Sequence, residues 1–284
     1  MPTTAEYFTY ANLQMAAEAF LVDRSGNLLT DPVALKKALT DGNLHASRFT
    51  AQLANQFLDP DTGWTVVAQC PNSNTGFSGT LFRNNDTDEL VLSFRSTEFI
   101  DDAARDSRAT NELEIKEKGF AFGQLADMEL WYRSLIANGT IGNTDQISVT
   151  GYSLGAHLST AFNLMHGNET LTVGTEQVNG ISEVVTFNGA GIGRIGDGSE
   201  NAMGRLPEMI QWFLDLRDQA TAGGLSDLMR TQWGRNAYQA IKAAWSVGQP
   251  RPGDFVINDI LSDLHTSPAG YPPPNQRGQS HLTF

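Results

Sequence analysis

A serine, a carboxylate and a histidine, held in line, cleave acyl bonds, and this chain offers candidates for all three. The serine is the most sharply marked. Ile147-Ser148-Val149-Thr150 is short and partly β-branched, Gly151-Tyr152-Ser153-Leu154-Gly155 follows, and Leu158, Phe162 and Met165 then recur at helical spacing. A G-x-S-x-G segment between a strand and a helix is a nucleophile elbow. The turn is too tight for bulky neighbours, and Gly151 and Gly155 leave the room. Such a turn lifts the Ser153 hydroxyl clear of the sheet and points the first N–H groups of the new helix at whatever the serine attacks.

A serine hydroxyl needs a base beside it, and the base needs an orienting carboxylate. With an elbow of this kind the partners follow in the order serine, acid, histidine. His157 and His166 fall on the helix after the elbow, which suits a structural or exposed role. His281 lies in a loop after the last expected strand, flanked by Gly278, Ser280 and Leu282. It is the expected base, although alone it would read as a solvated tail residue. The acid belongs just past a late strand, and Phe255-Val256-Ile257-Asn258 is that strand. Asp263 is the preferred acid and Asp259 the competing register, whereas Asp254 sits at the wrong end. An oxyanion hole needs two donors. Leu154 supplies one through its backbone N–H. Thr97, closing the strand that starts at Leu90, is the candidate for the other through its N–H and hydroxyl.

The elements that must position these groups are legible in outline. Helices are expected over 7–22, from Asp31-Pro32 with Asp31 as cap, over 47–58 and over 119–138, with Gly139 closing the last. Asp23 to Asn27 reads as a turn. Trp64 to Ala68 is a strand, and Gly76–Phe82 and Glu89–Phe94 form a hairpin across Arg83-Asn84-Asn85-Asp86. Val184 to Asn188 is another buried strand. Helices alternating with strands predict a single α/β domain over 1–284 with a mostly parallel central sheet flanked by helices. From about 200 to 248 the pattern is helical and carries Met209, Trp212, Phe213, Leu216, Trp233 and Trp245. Those residues either pack on the body or form a helical cap whose apolar face meets a lipid-like substrate.

Nineteen basic against thirty-two acidic residues give a net charge of −13, which argues against a nucleic-acid partner. The single cysteine, Cys70, excludes an internal disulfide, and nothing near it in sequence would activate it. No apolar run approaches the ~20 residues of a membrane span. Met1 to Tyr10 lacks a basic and then apolar leader. The expected location is extracellular without a visible leader, and a cytosolic one stays open. Neither a cofactor nor a metal is expected.

On these motifs the chain resembles the class 3 lipases of the α/β-hydrolase superfamily, in a bacterial branch. Ser93-Phe94-Arg95-Ser96-Thr97 is similar to their F-R-G-T/S segment, whose last residue serves the oxyanion hole. Val149-Thr150-Gly151-Tyr152-Ser153-Leu154-Gly155-Ala156 is similar to their V-T-G-H-S-L-G-G elbow. Val185-Thr186-Phe187-Asn188-Gly189-Ala190-Gly191 is similar to their T-F-G-x-P strand and loop, and Asn258 to Leu264 to their acid segment. Ser96, Tyr152 and Ala156 depart from the family pattern. The resemblance implies an α/β-hydrolase fold, a mobile lid, and hydrolysis of acyl esters, often of lipids, by serine, aspartate and histidine. Phospholipase A-type and polyester hydrolysis fall within the same chemistry.

Two other classes compete with this reading. One is a binding protein that keeps the hydrolase frame without catalysis. The other takes Gly191-Ile192-Gly193-Arg194-Ile195-Gly196 as a dinucleotide loop. That fingerprint needs a second strand ending in an acid ~20 residues on, and Asp215 falls in a helical pattern instead.

Overall fold

The computed structural model describes residues 3–43, 47–73, 76–96, 115, 120–192, 206–207, 210–211 and 214. Helix α1 (Thr4–Ala17) opens on a capping box: Thr3 Oγ1 accepts the Glu6 N–H at 3.3 Å, and Glu6 Oε2 accepts the Thr3 N–H at 2.5 Å. The predicted helix runs on to Val22, but α1 stops at Ala17 with Glu18 as its C-cap. The turn that follows is the reason. Asp23 Oδ1 takes the amides of Ser25 and Asn27 at 2.8 and 2.9 Å, and Val22 bridges Leu28. That reversal requires extended chain before it. Helix α2 (Pro32–Asp41) begins as its sequence predicts, with the Ala34 N–H donating to Asp31 Oδ2 at 2.9 Å. Helix α3 (Ala51–Phe57) is shorter than expected, because Thr50 caps it at the Leu53 N–H.

The strands follow in order. β1 (Trp64–Cys70), β2 (Gly79–Asn84) and β3 (Leu90–Phe94) form an antiparallel meander. β4 (Ile147–Tyr152) pairs parallel with β3, and β7 (Ile181–Phe187) pairs parallel with β4. The sheet order is β1-β2-β3-β4-β7. The sequence predicts a mostly parallel sheet. Among the described residues two of its four pairings are parallel and two antiparallel. The short polar turn after β2 permits only a hairpin there. Helix α4 (Phe122–Ala137) precedes β4, with Gly139 past its end at a φ of 77°. Helix α5 (Leu154–His166) follows β4. A small hairpin, β5 (Thr170–Val173) and β6 (Glu176–Asn179), turns at Gly174 and stands outside the sequence expectation.

Helices cover both faces of the sheet. Leu81, Leu92, Phe94 and Val149 pack with Phe122 and Leu125 of α4 and Leu158 and Phe162 of α5. On the other face Phe82, Val91 and Val185 pack with Leu13 and Ala16 of α1, Leu39 of α2 and Phe57 of α3. The result is a mixed α/β molecule with helices on either side of a central sheet. Among the described residues no helix is long and apolar enough to cross a membrane.

The helical pattern expected from about 200 begins packed on the body. Leu206, Ile210 and Leu214 lie one helical turn apart, are buried, and join the core shared by α4 and α5. Gln211 accepts from Arg133 of α4 at 2.9 Å. Residues 215–248 lie outside the described residues.

Candidate active site

The site is built where β4 ends. Ser153 has a φ of 52° and a ψ of −113°. A serine there is strained by roughly 1–3 kcal/mol, and such strain gathers at functional sites. Sterics in the flanking glycines hold it. A Cβ on Gly151 would stand 2.2 Å from the Gly155 carbonyl oxygen, and one on Gly155 would stand 2.1 Å from the Phe94 carbonyl oxygen. Both figures are far inside contact distance, so neither position admits a side chain without moving backbone.

The backbone around the serine is held on two sides. The Ser153 N–H donates to the Phe187 carbonyl at 3.0 Å, which ties the elbow to the end of β7. The Ser153 carbonyl accepts from His157 N at 3.2 Å and from Ala190 N at 3.2 Å. The first intrahelical bond of α5 therefore belongs to His157. The N–H groups of Leu154, Gly155 and Ala156 have no acceptor within the helix, and they carry its positive dipole end. That is the setting an oxyanion donor at Leu154 requires. A Cβ on Gly189 would lie 3.2 Å from that of Ala156, so the loop after β7 runs close over the first turn of α5.

The two described histidines are both engaged. His157 is buried; its Nε2 accepts from the Ala121 N–H at 3.1 Å, and its Nδ1 lies 2.5 Å from the Gly191 carbonyl. With Nε2 accepting, Nδ1 carries the proton and donates. Burial, working against the Gly191 bond, holds the ring below the ordinary imidazole pKa. His166 sits between two carboxylates, Nε2 at 2.8 Å from Glu129 and Nδ1 at 2.9 Å from Glu169. Burial disfavours its charge, but the bonds and charges of Glu129 and then Glu169 prevail and raise its pKa. Glu129 also takes Arg133 Nε at 2.6 Å. Both rings have the structural role expected of them; neither is exposed.

Of the predicted site residues, Ser153 and Leu154 occupy the elbow as described. Thr97, Asp259, Asp263 and His281 lie outside the described residues, as do 193–196 of the glycine-rich loop. At Cys70 burial first, then Asp127, pushes the thiol up to about 12, which disfavours the thiolate. The sequence reading missed that His157 anchors the loop at Gly191, because its two partners lie 36 and 34 residues away. Tyr152, next to the serine, and Ile192, next to the Gly191 that His157 bonds, are exposed apolar side chains, at 42% and 37%.

A concavity of about 430 Å³, lined by Tyr10, Glu89, Ser148 and Glu183 among others, lies elsewhere. Ser148 is five residues before Ser153 on β4, which separates that opening from the serine by about 17 Å. Among the described residues no group of histidine, cysteine and carboxylate side chains could hold a metal ion. No protein-family model matches the chain, and no curated protein or solved structure does either.

Proposed function

We propose that the protein is a serine ester hydrolase of the lipase or carboxylesterase type, on an α/β-hydrolase fold, acting on lipid-like acyl esters. The observation that carries this reading is the backbone of Ser153, a non-glycine residue at φ 52° between β4 and α5. Strain of this kind gathers at functional sites, and a strand–serine–helix corner is where a nucleophile elbow places it.

In the proposed reaction Ser153 Oγ attacks the acyl carbonyl carbon while the His281 imidazole takes its proton. Asp263, or Asp259, orients the ring. The oxyanion rests on the Leu154 N–H and on Thr97. The tetrahedral adduct expels the alcohol, which receives the proton from the imidazolium, and an acyl-serine remains. Water, deprotonated by the same ring, then releases the acid and restores the serine. The engagement of His157 and His166 in the body supports a base drawn from elsewhere in the chain. The stretch from about 200 to 248, whose sequence carries a helical pattern, is proposed to include a lid.

The test is a burst of chromophore from p-nitrophenyl esters of rising chain length, with and without micelles. Ser153→Ala should abolish the burst. A fluorophosphonate should label the parent protein and leave the variant unlabelled. A folded parent protein that neither turns over an ester nor takes the label sinks the proposal.

A further inference from the structure

We infer that Glu18 is a positioning residue for the oxyanion side of the Ser153 site, an inference that rests on the hydrolytic reading above. Glu18 caps the C-terminal end of α1 and is 1% exposed. Stability alone does not call for a carboxylate there. The end of a helix carries negative dipole charge, and burial strips the carboxylate of water. What the group does is reach across 78 residues of sequence. Its Oε1 accepts the Ser96 N–H at 2.9 Å and the Gln14 Nε2–H at 2.5 Å.

Ser96 is the second residue past β3, the strand that ends beside the elbow. The Phe94 carbonyl oxygen abuts the first turn of α5, 2.1 Å from where a Cβ on Gly155 would stand. The Arg95 N–H then donates to the Ser78 carbonyl at 3.0 Å, and the Arg95 guanidinium bonds Asn72 and lies over the Phe20 ring. Glu18 fixes the next peptide. It thereby sets where the chain leaves β3 relative to the Leu154 N–H. It also occupies the Ser96 amide, so that N–H cannot serve an oxyanion. In sequence the following residue is Thr97, the one assigned the second donor.

The experiment compares Glu18→Ala and Glu18→Gln with the parent, using a p-nitrophenyl ester. Active sites are counted by carrying fluorophosphonate labelling to completion, so each kcat refers to folded, reactive serines. Glu18→Ala should lower kcat per labelled site by about 100-fold, the scale of losing one oxyanion donor, with KM within about twofold. Glu18→Gln keeps an acceptor for the Ser96 amide and should recover most of that loss. Should the alanine variant fail to fold, a kcat reduced severalfold in Glu18→Gln at unchanged KM upholds the inference. An unchanged kcat per labelled site in every variant that folds overturns it and leaves the hydrolase reading intact. An unlabelled, inactive parent overturns both.

Discussion

At the scale of single residues, the conformation of Ser153 is set by backbone sterics. Gly151→Ala and Gly155→Ala would each force a methyl into a carbonyl oxygen. Each should cost about 1–3 kcal/mol or more, read as a lower denaturation midpoint, and each should displace the serine enough to remove ester turnover. The strain at Ser153 gives a second prediction. Ser153→Gly and Ser153→Ala both lack the hydroxyl, but only glycine is at ease at φ 52°. The glycine variant should be the more stable of the two by about 1 kcal/mol, measured by urea unfolding. Equal midpoints would mean that the elbow stores no strain. The elbow was legible in sequence because its requirements are local: a strand, two small residues and a helix. His157 and Glu18 were not. Each acts on a peptide more than thirty residues away, and no spacing rule links a side chain to such a partner before the fold is known.

At the scale of elements, two buried histidines pull stability in opposite directions along the pH axis. His157 is held neutral in α5, below the unfolded value of about 6.5. Its contribution is complete above that pH and is lost as pH falls through the lowered folded value. Against burial, Glu129 and Glu169 raise the pKa of His166, between α4 and α5, above the unfolded value of about 6.5. Its contribution is complete below that pH and is lost as pH rises through the raised folded value. Melting temperature against pH should therefore fall on both sides. His157→Gln should flatten the acid limb and His166→Gln the alkaline limb; limbs that keep their slopes would refute the assignment. Removing one member of the buried pair by Glu129→Gln should cost about 3 kcal/mol, part of which Glu169 offsets. Helix caps such as Asp31-Pro32 were readable because they are sequence-local. The end of α1 was misread because helical spacing continues past Ala17, while the Asp23 turn that overrides it takes precedence. The β5–β6 hairpin carries little apolar pattern, and most of it is exposed.

At the scale of the whole molecule, charge and layering dominate. A net charge of −13 and an isoelectric point near 4.7 predict weak retention on a polyanion column at pH 7. They also predict a solubility minimum as pH approaches 4.7. Light scattering from pH 7 to pH 4 reads the second directly, and scatter that stays flat throughout would contradict it. The layered α/β arrangement was foreseeable from alternating helices and strands. The even division between parallel and antiparallel pairing was only half foreseeable: the β2–β3 hairpin was legible from its polar turn, whereas the antiparallel addition of β1 to β2 at the sheet edge has no local turn signature.

The contact between the Phe94 carbonyl and the first turn of α5 has a practical corollary for anyone redesigning this protein. Strand end and helix start meet through main chain, so a side chain added at the contact must move backbone on one side or the other. Substitutions meant to leave this corner intact belong at exposed positions such as Tyr152, while codons 151 and 155 should be left fixed.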